Sequence, residues 1–477
     1  MSEGLNKPLL RPAEELRRAG PIHKARAPRL FAALTALFLL ASAALLRPWE
    51  EASRQTEPNG PPAASAFTQL IPEGAGMPVS AAITAPDGDY VLRTDGVGYV
   101  LEGGDMPVAG AAAKAVLACG ASLLGRQRID SADAEAFGLQ PAVLTAVFTY
   151  ADGRTLALYL GDAPATGAGR YARIEGTQGI YVVNRAVYET LSAGASALAD
   201  LPDLSAFQAE TLLQVTVVPQ GGETVSVRRV TEPNPFNVAA ELTEPIRYPA
   251  SSERAAGLFR AACSLRAESY AGRASSQAEL AAFGLDAPLA TLTLLGPQDE
   301  SVRVAIGQAE AAGQAEAALY MRLDGGDAVY TLAKGAADFL ENARTAYLAE
   351  QLAGLVSLSE VKTLTLTRGE ETHTLAVERP AEGEAVYSVD GTAVDLDAFR
   401  PYYQAAIGLL IDRRRGKEEP GACRAAFTYT FVDGSTWTLR FLACGDGYDA
   451  VLRDGEAAFL IARQKVDGVF ELFGRAD

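Results

Sequence analysis

The feature that most constrains the fold is an internal repeat. The phrase Ala-Phe-Gly-Leu occurs at residues 136–139 and again at residues 282–285, each time after helix-like text. A stretch of alternating apolar and polar residues follows each copy, beginning at Leu144 and at Leu289. Self-similarity over a fixed length of chain is typical of units that fold in the same way. The sequence therefore predicts several copies of one unit instead of one large irregular domain.

Aromatic and basic residues recur inside the repeated text. Residues 171–183 (YARIEGTQGIYVV) match residues 320–332 (YMRLDGGDAVYTL) at a constant offset of 149 residues. A third copy lacks the Phe-Gly-Leu phrase but retains strand-like text from Phe427 and from Tyr448. The copies are called the first, second and third repeats, and their predicted ranges are residues 79–200, 201–352 and 353–477.

Each repeat reads as hairpins, a helix, and further hairpins. Alternating apolar residues interrupted by Asp-Gly and Gly-Gly predict antiparallel strands joined by tight turns. The predicted helices are residues 111–124, 253–265 and 397–411 within the repeats and residues 185–199 and 336–352 at the ends of the first two. Apolar residues recur at helical spacing in residues 397–411, which gives this helix one face to bury. We therefore predict an α+β architecture, with helices covering one face of each antiparallel sheet.

The N-terminal part predicts a membrane anchor. Residues 30–46 form a run of 17 residues without a charge, at the short end of what spans a hydrocarbon core of ~30 Å. Basic residues crowd residues 1–29, which predicts a cytoplasmic tail and an extracytoplasmic chain after Trp49. Residues 47–78 are rich in Pro, Gly and Ala and are predicted to be a stalk. The alternative is a cleaved signal peptide, with Ala-Ser-Ala at residues 41–43 as its cleavage site.

Charge and composition exclude several functions. The formal net charge of −17 repels phosphate backbones, so nucleic acid is not an expected partner. The chain has two histidines, His23 and His373, and the alternating text around His373 predicts a solvent-facing strand position. The sequence contains no Gly-x-Ser-x-Gly motif, Cys-x-x-Cys motif or phosphate-binding loop. We therefore predict no catalytic residue, no metal site and no cofactor.

Tyrosine and arginine residues that recur in two repeats are the candidate ligand-binding positions. They are Tyr171, Arg173 and Tyr181 in the first repeat and Tyr320, Arg322 and Tyr330 in the second. An arginine flanked by aromatic rings can bind an anionic glycan or a lipid headgroup. The alternative is that each arginine pairs with an acidic residue across the sheet.

Two of the four cysteines are candidates for a disulfide. Cys423 and Cys444 lie symmetrically about residues 433–434 (Asp-Gly), and a two-residue turn there would place them opposite each other at disulfide spacing. The apolar pattern favours another register, because Tyr429 and Trp437 share a face only if the turn has three residues and a bulge. In that register the two cysteines point to opposite faces, unless a second bulge restores the pairing.

The order of these motifs resembles the bacterial domain-of-unknown-function family DUF4340. The resemblance is carried by hairpins before a helix, Phe-Gly-Leu-x-Pro at residues 137–141, Leu-Gly-Asp at residues 160–162, and the Tyr-x-Arg that follows. It covers about residues 90–280 and returns weakly in the later copies. It implies a membrane-anchored extracytoplasmic protein of the kind often encoded beside ABC-transporter subunits of the gliding-motility type. It implies no chemistry and assigns no functional residue.

We therefore expect a non-enzymatic accessory or scaffold protein. Residues 30–46 would hold it in the bilayer, beside the permease and ATPase subunits of an ABC-type envelope transporter. One alternative is an envelope glycan- or lipid-binding module that uses the recurring tyrosine and arginine residues. Another is a cryptic hydrolase that uses two of the many carboxylates as a catalytic pair.

Overall fold

The computed structural model describes residues 67–165, 167, 169–310 and 317–475. Three antiparallel sheets of nine strands, with a few short helices, occupy this part of the chain, and the predicted α+β class is confirmed. The predicted tail and transmembrane helix, residues 1–29 and 30–46, lie outside the described residues. Among the helices that are described, none combines the length and apolar character needed to cross a membrane.

The first sheet combines nine strands with two α-helices. Its elements are β1 (Thr68–Gln69), β2 (Ser80–Thr84), β3 (Tyr90–Thr94), β4 (Tyr99–Leu101), α1 (Gly110–Ala118), β5 (Leu124–Ile129), β6 (Leu144–Thr149), β7 (Thr155–Leu160), β8 (Arg170–Ile174), β9 (Ile180–Val183) and α2 (Arg185–Ser192). In β6 every second residue is buried, as expected of a strand whose faces meet different surroundings.

The second repeat contains the same succession of elements. They are β10 (Gln214–Pro219), β11 (Val225–Arg229), β12 (Ala240–Glu244), β13 (Tyr248–Pro249), α3 (Ser252–Cys263), β14 (Ala267–Arg273), α4 (Gln277–Ala282), β15 (Ala290–Leu295), β16 (Ser301–Glu310), β17 (Ala317–Leu323), β18 (Ala328–Leu332) and α5 (Thr345–Leu348). The short helix α4 begins with a capping box between Ser276 and Glu279 and leads directly into the Phe-Gly-Leu phrase.

The third repeat again combines nine strands with two α-helices. Its elements are β19 (Val361–Arg368), β20 (Glu371–Glu378), β21 (Val386–Val389), β22 (Thr392–Val394), α6 (Leu396–Ile407), β23 (Arg413–Arg414), β24 (Cys423–Phe431), β25 (Thr436–Cys444), β26 (Tyr448–Arg453), β27 (Glu456–Ala462) and α7 (Arg463–Glu471). The side chain of Asp395 caps the first turn of α6 by accepting a hydrogen bond from the N–H of Ala398 (2.7 Å).

The three sheets share one topology over eight strands, and the ninth strand is β1 beside β5 in the first sheet but a hairpin strand at the opposite edge, β13 or β22, in the other two. The strand orders are β4-β3-β2-β6-β7-β8-β9-β5-β1, β13-β12-β11-β10-β15-β16-β17-β18-β14 and β22-β21-β20-β19-β24-β25-β26-β27-β23. In each sheet two meanders lie side by side, and the strand that follows the long helix pairs with the last strand of the second meander. The third copy, recognised in the sequence only by its strand-like text, has this shared topology in full.

Helices cover one face of each sheet, as predicted. Phe259 on α3 and Phe399 on α6 are almost fully buried against the strands. The first repeat has a separate apolar core, whereas one continuous core extends from Leu204 in the second repeat to Phe473 in the third. Burial of this shared apolar surface joins the second and third repeats into one body.

A short segment of the chain hydrogen-bonds to two repeats in succession at each junction. Residues 198–200 pair with the first repeat, and residues 202–204 pair with the second. The bonds are Ala109 N–H to Leu198 O (2.8 Å), Asp200 N–H to Pro107 O (2.8 Å), Leu204 N–H to Leu265 O (3.1 Å) and Ala267 N–H to Pro202 O (3.0 Å). Within these seven residues the chain changes from pairing with the first repeat to pairing with the second. No unpaired linker therefore separates the two repeats.

The second junction is built in the same way. Residues 348–350 pair with the second repeat and residues 351–353 pair with the third. The bonds are Ser251 N–H to Leu348 O (2.8 Å), Glu350 N–H to Pro249 O (2.8 Å), Ala353 N–H to Leu409 O (2.8 Å) and Ile411 N–H to Gln351 O (2.9 Å). In the first repeat, β1 occupies the corresponding edge, next to β5.

Several element boundaries differ from those predicted. The predicted stalk, residues 47–78, overlaps the sheet, because β1 pairs with β5 and Ile71 is fully buried. The helix predicted at residues 185–199 ends at Ser192, and Gly194 adopts a φ of +77° that breaks it. The helix predicted at residues 336–352 is reduced to α5 and a short 3₁₀ turn, because residues 349–353 are not helical and belong to a segment that pairs with two repeats.

Candidate functional site

The Phe-Gly-Leu phrase of the first repeat docks on the sheet through its backbone. Gly138 has a φ of +65°, and the N–H of Asp162 donates to the carbonyl oxygen of Phe137 (2.9 Å). A Cβ atom on Gly161 would overlap that same carbonyl oxygen. The glycines of the phrase and of Leu-Gly-Asp therefore permit two backbone segments to touch.

The second repeat uses the same close approach. Gly284 has a φ of +64°, and a Cβ atom on Gly307 would lie 2.5 Å from the carbonyl oxygen of Phe283. The ring of Phe283 meets Tyr320 edge to face, with 5.1 Å between the ring centroids. In both repeats, the recurring phrase thus closes the sheet face opposite the long helix.

The structure separates the predicted ligand-binding residues of the first repeat. Tyr171 packs edge to face on Phe137 (4.8 Å), and the guanidinium of Arg173 lies 5.2 Å from the ring centroid of Tyr159. Tyr181 pairs with Ala172 and is buried in the main core on the opposite face of the sheet. The three residues do not line one groove, because Tyr181 lies opposite Ala172, whose side chain points to the other face of the sheet from those of Tyr171 and Arg173.

The second repeat shows the same separation. Tyr320 belongs to the small cluster around the Phe-Gly-Leu phrase, whereas Tyr330 is buried in the main core and packs on Tyr270. Arg322 donates a hydrogen bond from Nη1 to the carbonyl oxygen of Ala274 (3.3 Å). The predicted pairing of Arg322 with an acidic residue is not seen among the described residues, since its hydrogen-bond partner is a backbone carbonyl group.

Arg173 lines a cleft on the outer face of the first sheet. The cleft has a volume of about 360 Å³, and Asp130, Ser131 and Gly179 also line it. The described residues offer Arg173 no carboxylate partner, so its guanidinium retains donors for a ligand. A cation beside an aromatic ring on a concave surface is suited to an anionic group. Of the predicted residues, Arg173 alone lines this cleft.

A larger cavity lies where the second and third repeats meet. Its volume is about 640 Å³, and its walls combine apolar side chains with charged groups from both repeats. The residues that define its character are Pro219, Val225, Leu340, Glu223, Arg344 and Arg414. Apolar walls with a few charged groups and this volume are typical of small-molecule sites.

A charged pair from different repeats forms one wall of this cavity. The carboxylate of Glu223 accepts hydrogen bonds from Thr345 Oγ1 (2.6 Å) and from Arg414. Burial opposes ionisation of Glu223, but the bonds from Arg414 and Thr345 outweigh it and hold its pKa below the usual range. Glu223 therefore remains ionised, which suits binding and positioning better than proton transfer near neutral pH.

A buried arginine that was not predicted from the sequence lies between the second and third repeats. Arg453 is 3% exposed, and its guanidinium lies 4.9 Å from the ring centroid of Trp437, 5.0 Å from that of Phe236 and 5.6 Å from that of Tyr248. Its Nη1 donates to the carbonyl oxygen of Ala353 (3.0 Å). Burial lowers the pKa of this guanidinium from its ordinary value. Arg453 thus joins rings from two repeats to the chain segment between them.

His373 lies in a different environment from the one expected. Its Nδ1 is 2.7 Å from a carboxylate oxygen of Asp390, and its Nε2 is 3.2 Å from one of Glu371. The imidazole stacks on Phe473, with 4.1 Å between the ring centroids. Both ring nitrogens are occupied by carboxylates, so this histidine is not arranged to activate a nucleophile.

The hairpin that carries the two candidate cysteines has the register favoured by the apolar pattern. The N–H of Phe431 donates to the carbonyl oxygen of Ser435 (2.8 Å), which closes a three-residue turn. Tyr429 lies opposite Trp437, so the predicted sharing of one face is confirmed.

The same hairpin keeps the two cysteines apart. A bulge after Cys423 places it opposite Leu442, whereas Cys444 pairs with Tyr448 on the next strand. Both cysteines are free thiols, Cys423 exposed and Cys444 buried. The bulge shifts the register away from a disulfide, because pairing with Cys444 requires a shift in the other direction.

The described residues contain no group of three or more His, Cys, Asp or Glu side chains arranged to hold a metal ion. Comparison with known families gives a match to the model described as Domain of unknown function (DUF4340), over residues 112–240 and 241–412. The chain belongs to this family. Each DUF4340 match crosses a junction between repeats, so the junction segments are part of what the family shares. No curated protein and no solved structure matches the chain.

Proposed function

We propose that this DUF4340 protein is a non-enzymatic scaffold on the extracytoplasmic side of a bacterial membrane. Residues 30–46 anchor it as a single-pass protein, with residues 1–29 in the cytoplasm. Its partners are the permease and ATPase subunits of an ABC-type envelope transporter.

One observation carries the proposal: the residues that recur between repeats are used for packing. Gly138 and Gly161 allow two backbones to touch, and Tyr171 packs on Phe137. These residues close a sheet face, which is a packing role and not a catalytic one. Together with junctions whose backbone groups bond to two repeats, they make a rigid body with several sheet edges, which suits a binding platform.

Crosslinking in intact cells tests the proposal directly. The full-length protein is purified in mild detergent, and its crosslinked partners are identified by mass spectrometry. An unrelated single-pass protein with the same tag, expressed in the same cells, is the control. We expect an ATPase and a multi-span permease to be enriched over this control. Repeated recovery of the protein without any other membrane protein would contradict the proposal.

The cleft beside Arg173 supports a second candidate, an envelope glycan- or lipid-binding module. Its guanidinium has no carboxylate partner among the described residues and lines a concave surface. The full-length protein is applied to arrays of anionic glycans and lipids. The matched variants are Arg173→Gln and Arg322→Gln, because Arg322 is the equivalent residue of the second repeat. We expect a selective loss of binding in Arg173→Gln, and equal binding by both variants would dismiss the candidate.

A further inference from the structure

The same backbone slot occurs in all three repeats, immediately before the long helix. In the first repeat the slot consists of the carbonyl group of Pro107 and the N–H of Ala109. In the second it consists of the carbonyl group of Pro249 and the N–H of Ser251. Each of these two slots is filled by a short segment that follows a helical turn, through two hydrogen bonds of 2.8 Å.

The segments that fill the two slots have the same chemistry. They are Leu-Ala-Asp at residues 198–200 and Leu-Ala-Glu at residues 348–350. In each, the leucine carbonyl accepts and the acidic residue's N–H donates, while the leucine and alanine are buried. The two filled slots therefore hold a Leu-Ala-acid segment by one antiparallel bridge at the alanine and by apolar burial.

In the third repeat the corresponding groups are the carbonyl of Ala393 and the N–H of Asp395. The hairpin register confirms their direction: Val389 and Thr392 flank a two-residue turn, so the next pair, Ser388 and Ala393, is the non-hydrogen-bonded one. The backbone groups of Ala393 therefore point to the open edge of β22. Both Ala393 and Asp395 are exposed, and no hydrogen bond joins either open group to another described residue.

We propose that this third slot binds a Leu-Ala-acid segment of a partner protein through the same short antiparallel pairing. The proposal deepens the scaffold function and rests on it, since it names the surface that recruits a partner. Unpaired edge groups of a sheet are a template for another strand, and the two filled slots show which sequence fits. A few backbone groups pair, so we expect weak binding that becomes effective when the partner is held at the same membrane.

The probe is a fluorescein-labelled peptide, Ser-Ala-Leu-Ala-Asp-Leu-Pro, which copies residues 196–202. It is titrated into the purified full-length chain, and binding is followed by fluorescence anisotropy. Hydrogen exchange of the Asp395 amide is measured in parallel, and we expect the peptide to slow it by about fivefold or more. A control peptide with proline in place of aspartate lacks the N–H that the slot accepts, and it should not bind.

Three variants separate the loss of strand pairing from a loss of folding. Asp395→Pro removes the N–H donor and the cap of α6, whereas Asp395→Ala removes only the cap; we expect the first to abolish binding and the second to retain it. Ala393→Pro keeps the carbonyl acceptor and reproduces Pro107 and Pro249, so it should bind like the wild type. Equal binding by Asp395→Pro and Asp395→Ala would overturn the proposal.

A further variant that lacks Ala476 and Asp477 tests the chain's own terminus as the occupant. We expect it to bind the peptide as the full-length chain does. Binding that appears only after this deletion would overturn the proposal, because the slot would then belong to the chain itself. The titration uses the purified chain alone, so a failure of the peptide to bind would not change the recovery of transporter subunits by crosslinking. Likewise, a failure to recover transporter subunits would not change peptide binding.

Discussion

Replacing Gly161 by alanine tests whether the Phe-Gly-Leu phrase holds the outer face of the first sheet. The backbone φ of Gly161 is not in the left-handed region, so alanine fits its conformation. The added Cβ, however, overlaps the carbonyl oxygen of Phe137, far inside the 3.0 Å that real Cβ atoms respect. Because the obstacle is backbone and not a movable side chain, the phrase must leave the sheet.

The cost follows from the contacts that are lost. The hydrogen bond from Asp162 to Phe137 contributes about 0.5–1.5 kcal/mol, and the edge-to-face contact between Phe137 and Tyr171 about as much again. Exposing Leu139, which is 2% exposed, adds about 1.5–3 kcal/mol. The total is roughly 3–6 kcal/mol, or a factor of about 10²–10⁴ in the local opening equilibrium.

Hydrogen exchange of individual amides, measured by mass spectrometry on the full-length protein, detects this local opening. The amides of Leu139 and Asp162, both hydrogen-bonded in the phrase, should exchange faster by this factor in Gly161→Ala. The matched control is Gly98→Ala, in the same repeat, where a Cβ meets nothing within 4 Å and the φ is ordinary. A change of less than about threefold in Gly161→Ala, or an equal change in the control, would refute the reasoning.

Three further predictions concern the junction and the thiols. Glu223→Gln should lower the free energy of unfolding by no more than about 1 kcal/mol at neutral pH, because its pair with Arg414 is partly exposed. Because the folded-state pKa of Glu223 is lowered, its stabilisation is present above the usual pKa of 4.5 and is lost as the pH falls through the folded-state pKa. The melting temperatures of Glu223→Gln and the wild type should therefore converge in acid. A difference between them that stays constant with pH would contradict this assignment. Arg453→Ala should lower the free energy of unfolding by about 3 kcal/mol because it leaves a cavity, whereas Arg453→Met should lie within about 1 kcal/mol of the wild type. Thermal unfolding that ranks the two variants in the other order would contradict this. Iodoacetamide under native conditions should label exposed Cys423 well before buried Cys444, whose pKa burial raises, and equal rates by mass spectrometry would contradict the described burial.

Strand alternation explains which parts of the fold could be predicted. Apolar periodicity and turn residues were sufficient to predict the α+β class and the register of Tyr429 and Trp437. The predicted boundary between residues 200 and 201 falls where the chain changes from pairing with one repeat to pairing with the next. The boundary at residues 78–79 missed β1, because two strand residues after a Pro- and Gly-rich stretch carry no period of their own.

The candidate sites were less predictable because they depend on which face each strand residue occupies. Tyr171 and Tyr181 recur together in the sequence, yet the length of the turn between β8 and β9 places Tyr181 opposite Ala172 and thus in the core. Arg453 follows Val451 at a spacing of two, which indicates a core position, but its partners Phe236 and Tyr248 come from another repeat. Such long-range contacts leave no local pattern.

The junctions have a consequence for how proteins of this kind can change in length during evolution. Residues 202–350 contain both the strand that pairs at the start of a repeat and the strand that pairs at its end. An in-frame duplication of this stretch would copy the repeat together with both of its junction segments. Each new copy would contain both terminal segments together with the backbone groups of its own repeat with which they pair. Gain or loss of whole repeats therefore requires no compensating substitutions at the junctions. A gene fusion with its breakpoint inside a junction segment would, by contrast, expose unpaired sheet edges.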